Sequence, residues 1–372
     1  MDIKQSKKQL WSHRDSSLEV LRIIAMILIV LHHLSVHWWF YFDTTYLHLP
    51  EIWLNIIAIW WTIWNNIFVL ISWYFLIKSD FSWGKFVKKL LKLVLEVSFY
   101  SFMLYIICVW FITWFSNISL KWIIDSITPF NNYRFFDAYI LLYLLVPFLN
   151  KWLLQLSASK HCILIILLML MNIVMLNFLY SERSNLFWFI TVYVISSYIR
   201  LYWSKMPIKS CIFYSIFSSF IAVSIVLLKR LSITGFEAVT TVHQYKNYNI
   251  FLFASALFLF LAFTKIKIKN NKNINMLASA AFGVYLIHES PLISWFLWTI
   301  IFNVSWYQSS ILLIPYSILV TIFVYLICSV IDIIRQIVIE TPLLNLTEKW
   351  RNSLDVRFSK TVTKSFPDSQ KT

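Results

Sequence analysis

Ten apolar runs divide this chain, at about 18–38, 52–77, 93–115, 135–149, 162–180, 187–203, 210–228, 248–264, 277–302 and 309–333. Most of them approach the roughly 20 residues a helix needs to cross a hydrocarbon core of about 30 Å. Within lipid every backbone N–H and C=O must be paired inside the segment, so runs of this length predict helices. The expected fold class is therefore all-α: a polytopic integral membrane protein of about ten transmembrane helices. With 60% hydrophobic and 13% charged residues the chain lies far from soluble composition, and ten spans leave no room for a sizeable soluble domain. Residues 1–335 read as one transmembrane domain and 336–372 as a polar cytoplasmic tail.

The formal charge of +15 must then be sorted across the bilayer. Placing the N-terminus inside puts 25 of the 32 Lys and Arg residues in cytoplasmic segments, six outside, and Arg22 within the first span. That asymmetry predicts both termini in the cytoplasm. Most of the positive charge is topology and requires no nucleic acid or acidic partner. The three glycines, Gly84, Gly235 and Gly283, exclude a P-loop or a dinucleotide-binding loop. Cys108, Cys162, Cys211 and Cys328 all fall in apolar runs without a CxxC pair, as small buried hydrophobes do, and no metal site is expected.

Ionisable groups inside a span are costly and mark candidate sites. The first run carries Glu19, Arg22, His32, His33 and His37. At 100° per residue, Arg22 and His33 fall within about 20° of each other, roughly 16 Å apart along the axis. Asp15 and His37 lie near the same stripe, and His32 points about 80° away. Arg22 thus sits near the inner edge, suited to an anionic group. His33 sits deeper, where a neutral imidazole accepts a proton. The plainer reading is that Arg22 snorkels to headgroups and that the histidines are silent interfacial groups.

Glu96, Asp137, His288, Glu289 and Asp332 are further polar residues in or near spans, for each of which ion pairing is the structural alternative. Lys85, Lys88 and Lys89 cluster at the start of the third span, consistent with a positive inner face and with a polyanionic ligand. Aromatic residues at 38–42, and Trp60, Trp61, Trp64 and Trp73, suit an interfacial belt or a platform for sugar rings. No GxSxG elbow or HExxH helix is present, so any catalysis falls to intramembrane histidine and carboxylate groups.

Ser17-Leu-Glu-Val-Leu-Arg22-Ile-Ile-Ala25, followed by His33, resembles the opening of the integral-membrane acyltransferase-3 family, whose first helix carries a basic residue, ten residues and then a histidine. Four more stretches are similar to that family in the same order. They are Phe68 to Leu76 with Ser72 and Tyr74; the Lys85 and Lys89 pair; Phe136 to Asn150; and Phe282-Gly283-Val-Tyr285-Leu-Ile-His288. The chain departs from the family pattern at Trp73, where glycine is usual, in having lysines for arginines in the basic pair, and at Arg134 and Asp137.

The resemblance implies an enzyme that moves an acetyl or other acyl group from cytosolic acyl-CoA to a hydroxyl of an extracytoplasmic or lipid-linked glycan, of exopolysaccharide, capsule or cell-wall type. Acetyl-CoA would be the donor, the lipid bilayer and the glycan the partners, and the cell membrane, of bacterial type, the location. Arg22, Lys85 and Lys89 would bind the CoA phosphates, with His33, Arg22 and Glu19 catalytic. Trp38, Ser72, Tyr74 and His288 would meet the acceptor. A transporter or flippase of a glycan or lipid precursor is the main rival, since a stripe of Arg and His through a span serves transport too. Yet three glycines and no visible repeat fit poorly with rocking, broken-helix transporters. A glycan polymerase or ligase would call for longer outer loops; His243 lies in one of the longest here.

Overall fold

The computed structural model describes residues 14–36, 48–79, 82–112, 124, 133–178, 184–203, 206–230, 249–291 and 293–343. Among them the secondary structure is helical, without strands. The main helices are α1 (Ser16–Val36), α2 (Leu49–Tyr74), α3 (Trp83–Ile107), α4 (Arg134–Leu153), α5 (Ala158–Phe178) and α6 (Ser184–Tyr202). They continue with α7 (Ile208–Arg230), α8 (Ile250–Phe263), α9 (Lys272–Ser279), α10 (Ala281–His288) and α11 (Leu313–Arg335). By length and composition six helical stretches among the described residues can cross a membrane: Ser16–Val36, Leu49–Lys78, Trp83–Trp110, Phe135–Leu153, Ile208–Ile225 and Leu313–Leu343. Ala158–Asn172, Leu186–Tyr202 and Ile250–Phe263 are shorter apolar helices.

α1 is the axial element. It packs on α2, α8, α9, α10 and α11, and Leu18, Leu21, Ala25, Val30 and Leu34 are almost wholly buried. Its start is tied down by side chains that the loop before α9 engages. Asp15 Oδ1 accepts from the Ser17 N–H at 3.0 Å, as a helix-capping carboxylate does. Ser17 Oγ accepts from the Ile268 N–H at 2.9 Å, and Ser16 Oγ accepts from the Asn271 N–H at 2.9 Å while donating to Asn275 Oδ1 at 3.0 Å. The lysine-rich segment 265–272 therefore folds back on α1. At the periphery, α7 turns Phe213, Ile216 and Phe220 outward, each more than 60% exposed. Their i, i+3, i+7 spacing puts them on one face, suited to lipid rather than water.

The run 277–302, read as one span from its hydropathy, is not a single helix. It is split into α9, α10 and a π-helical turn at Phe296–Ile301. Pro291 follows α10 closely: it lacks an N–H and biases Ser290 away from helical geometry, so the rod ends at His288. The last helix runs further than expected, through the π-helical turn Gln336–Glu340, and Gln336 and Glu340 are buried.

α10 and α11 touch at Gly283. A methyl group there would collide with the Asp332 carboxylate. Asp332 is fully buried and accepts from Tyr100 Oη at 2.7 Å, Arg335 Nε at 2.8 Å and Gln336 Nε2 at 2.7 Å. Gly283→Ala is expected to lower stability by about 1–3 kcal/mol through overpacking. Thermal unfolding in detergent checks this, and an unchanged midpoint would show that Asp332 yields freely.

Candidate active site

Two polar centres lie along α1. At its N-terminal end a cavity of about 520 Å³ is walled by Arg14, Asp15, Glu19 and Arg22 of the α1 end, Ser72 of α2, Lys89 of α3, Tyr139 of α4, and residues of α9 and α10. Arg22 does not snorkel away. Its Nη1 donates to both Glu19 oxygens, at 2.7 and 3.0 Å, and Glu19 also pairs with Arg14 at 3.6 Å. Glu19 is buried and the Arg22 side chain is only 16% exposed. Two guanidiniums and the Lys89 ammonium face one chamber against the carboxylates of Asp15 and Glu19. That balance of three cations to two carboxylates favours an anion, for which Arg forks are suited.

The second centre lies near the other end of α1. His33 Nδ1 is 2.8 Å from His288 Nε2 and 3.0 Å from Glu289 Oε2. His288 is fully buried, and its Nδ1 is 2.6 Å from the Val284 carbonyl. A carbonyl only accepts, so His288 carries its proton on Nδ1 and, when neutral, presents a lone pair at Nε2. His33 Nδ1 then donates to His288 Nε2 or to the Glu289 carboxylate. In neutral His33 the remaining lone pair is on Nε2, the tautomer a general base needs. The break at Pro291 allows this, because α10 stops where His288 and Glu289 reach α1.

An aromatic column joins the centres. Phe135 and Phe282 line the basic cavity. Tyr285 has its ring centroid 5.7 Å from Phe135 and 6.2 Å from Phe282, and it lies 6.4 Å from both His33 and His288. Tyr133, whose hydroxyl donates to the Leu286 carbonyl at 2.8 Å, braces α10 from α4's leading end.

The structure divides the residues singled out from sequence. Arg22, Glu19, Lys89 and Ser72 meet at the basic cavity; His33 and His288 meet at the imidazole pair. Lys85 is exposed and is not among the residues that wall the cavity, lying one turn before Lys89. Ser72 Oγ donates to the Phe68 carbonyl of its own helix at 2.7 Å. Tyr74 turns away from the cavity, with its hydroxyl 3.3 Å from Arg200 Nη1 and the guanidinium over its ring. Trp38 and His243 lie outside the described residues. Trp73, at the position where a glycine was expected, is wholly buried, with its ring 4.5 Å from Tyr139 and 5.8 Å from Tyr193. There the indole fills the space that a close backbone approach would occupy. Arg14 and Tyr139 join the basic cavity, and Glu289 the imidazole pair, through the tertiary structure. Arg14 follows a polar stretch and Tyr139 sits among many aromatics, so neither stands out by pattern.

The acyltransferase-3 family model, an acyltransferase domain, matches residues 15–333. The chain belongs to the acyltransferase-3 family. No curated protein and no solved structure matches it significantly. The family match runs from Asp15, in the wall of the basic cavity, through the α10 histidine and nearly to the end of α11, so both centres, Arg14 apart, fall within the acyltransferase domain. The protein is accordingly a membrane acyltransferase with several apolar helices.

Proposed function

We propose that this acyltransferase takes an acetyl group from cytosolic acetyl-CoA and transfers it to a hydroxyl of an extracytoplasmic or lipid-linked glycan. The observation that carries the reading is the aromatic column that leads from the basic cavity to His33. Arg14, Arg22 and Lys89 meet the phosphates of CoA, with Glu19 holding the two guanidiniums apart and oriented. The pantetheine arm runs past Phe135 and Tyr285, over a distance comparable to the roughly 16 Å between Arg22 and His33 along the helix.

At the second centre His33 Nε2 takes the acceptor hydroxyl proton as the oxygen attacks the thioester carbonyl. The C–O bond forms, the C–S bond breaks, and the proton passes from His33 to the departing CoA thiolate. Glu289 and His288 hold the imidazole at Nδ1 and stabilise it while it carries the extra proton, as the carboxylate of a catalytic triad does. Ten spans with both termini in the cytoplasm, in a bacterial-type cell membrane, would put the basic cavity on the side where CoA is found.

The decisive measurement supplies membranes containing the protein with radiolabelled acetyl-CoA and follows label into lipid-linked or surface glycan. Label in that fraction supports the enzyme; glycan that crosses the membrane unlabelled supports the rival transport reading. Arg22→Ala is expected to raise the KM for acetyl-CoA about 10–100-fold, the worth of a charge-assisted hydrogen bond, and to change the acceptor KM less. A larger effect on the acceptor would remove Arg22 from the donor site.

A further inference from the structure

The cluster of His33, His288 and Glu289 has a donor set that goes beyond base catalysis. Their three ligand atoms lie within 4.8 Å of one another. Two imidazole nitrogens and one carboxylate oxygen make the protein set of open, three-ligand zinc sites. His288 is already arranged as metal-bound histidines usually are. Its Nδ1–H is given to the Val284 carbonyl at 2.6 Å, which fixes the ring and aims the Nε2 lone pair at His33. Ligands about 2.0–2.1 Å from a tetrahedral ion stand about 3.3 Å apart, so the imidazoles, now 2.8 Å apart, need separate by only about 0.5 Å.

We propose that this cluster binds a borderline divalent cation of the Zn2+ class, and that the ion acts as an inhibitor. The ion takes the place of the proton on His33 Nδ1. Neutral imidazole carries a single N–H. With Nδ1 bound to the ion, that proton resides on Nε2 and the ring can no longer accept one from a hydroxyl. His288 Nε2 and the Glu289 carboxylate supply the other bonds, and a water completes the coordination. Mg2+ and Ca2+, which prefer all-oxygen ligands, are excluded by the two imidazoles. The inhibitory half rests on His33 being the base in acyl transfer. The binding half does not.

The test uses the full chain in detergent micelles, stripped with a chelator and dialysed against Zn2+, then against Co2+. Metal content is read by mass spectrometry, Co2+ coordination by visible absorption, and acetyl transfer on the same samples. Wild type is expected to retain one more Zn2+ per chain than Glu289→Gln or His288→Asn, and to show Co2+ ligand-field bands that both variants lose. Glu289→Gln keeps the volume of the site, so it serves if His288→Asn fails to fold. Equal metal content and equal spectra in wild type and Glu289→Gln would overturn the site and leave a hydrogen-bonded relay. Zn2+ bound at this cluster with acetyl transfer undiminished would overturn the inhibition. A loss of transfer on loading that a chelator reverses would establish it.

Discussion

Replacing His33 with alanine is expected to lower acyl transfer by about 10²–10⁴-fold, the usual worth of a positioned general base. The effect should appear in kcat with the KM for acetyl-CoA little changed, because the proposed function puts the donor phosphates at the far end of α1, where Arg14, Arg22 and Lys89 line the basic cavity. Glu289→Gln keeps the size of its side chain but removes the charge 3.0 Å from His33 Nδ1. It should lower kcat by a smaller factor, since the His288 Nε2 contact at 2.8 Å still holds the imidazole. Initial rates over a range of acetyl-CoA, on protein matched for amount and elution volume, check both. A His33→Ala protein that acylates at the wild-type rate would remove the base from this reading.

Arg335→Ala is expected to be the most destabilising single change, by about 3–5 kcal/mol, because it strands buried carboxylates. Arg335 donates to Glu96 at 2.9 Å and Asp332 at 2.8 Å, and it pairs with Glu340 at 3.1 Å. All four side chains are nearly inaccessible, and Lys92, 2.6 Å from Glu340, is the other cation of the group. The group ties α3 to α11. Through Gln336, which accepts from Ser279 Oγ at 3.1 Å, it also holds a wall of the basic cavity. Thermal unfolding of the detergent-solubilised protein measures the loss. Adding Glu96→Gln to Arg335→Ala should recover part of it, because one buried negative charge is then removed; no recovery would assign the loss to packing alone.

Much of the site was legible because helical periodicity is a rigid rule. Arg22 and His33 fall on one stripe at 3.6 residues per turn whatever surrounds them, and the structure puts both on inward-facing parts of α1. Lys85 and Lys89 share a face by the same rule, yet only Lys89 reaches the cavity. Periodicity fixes direction around an axis but not where along it a chamber ends. Glu289 and His288 were visible as polar residues in an apolar run. Their closeness to His33 depends on a contact across more than 250 residues of sequence, which no local pattern encodes. The break at Pro291 could have been read as a helix stop. Hydropathy averages over such a break, because the residues on both sides are equally apolar.

Composition and the length of the apolar runs by themselves settled the helical class. One stripe of α1 identified the two side chains that anchor the proposed chemistry. These follow from terms local to a segment: apolar transfer into lipid, obligatory backbone pairing, and the angle between successive side chains. Tertiary structure alone decided which cations share a chamber and that His288 and Glu289 close on His33. Those outcomes rest on packing between helices distant in sequence. Trp73 filling a gap beside Tyr139 and Gly283 yielding space to Asp332 set the spacing there.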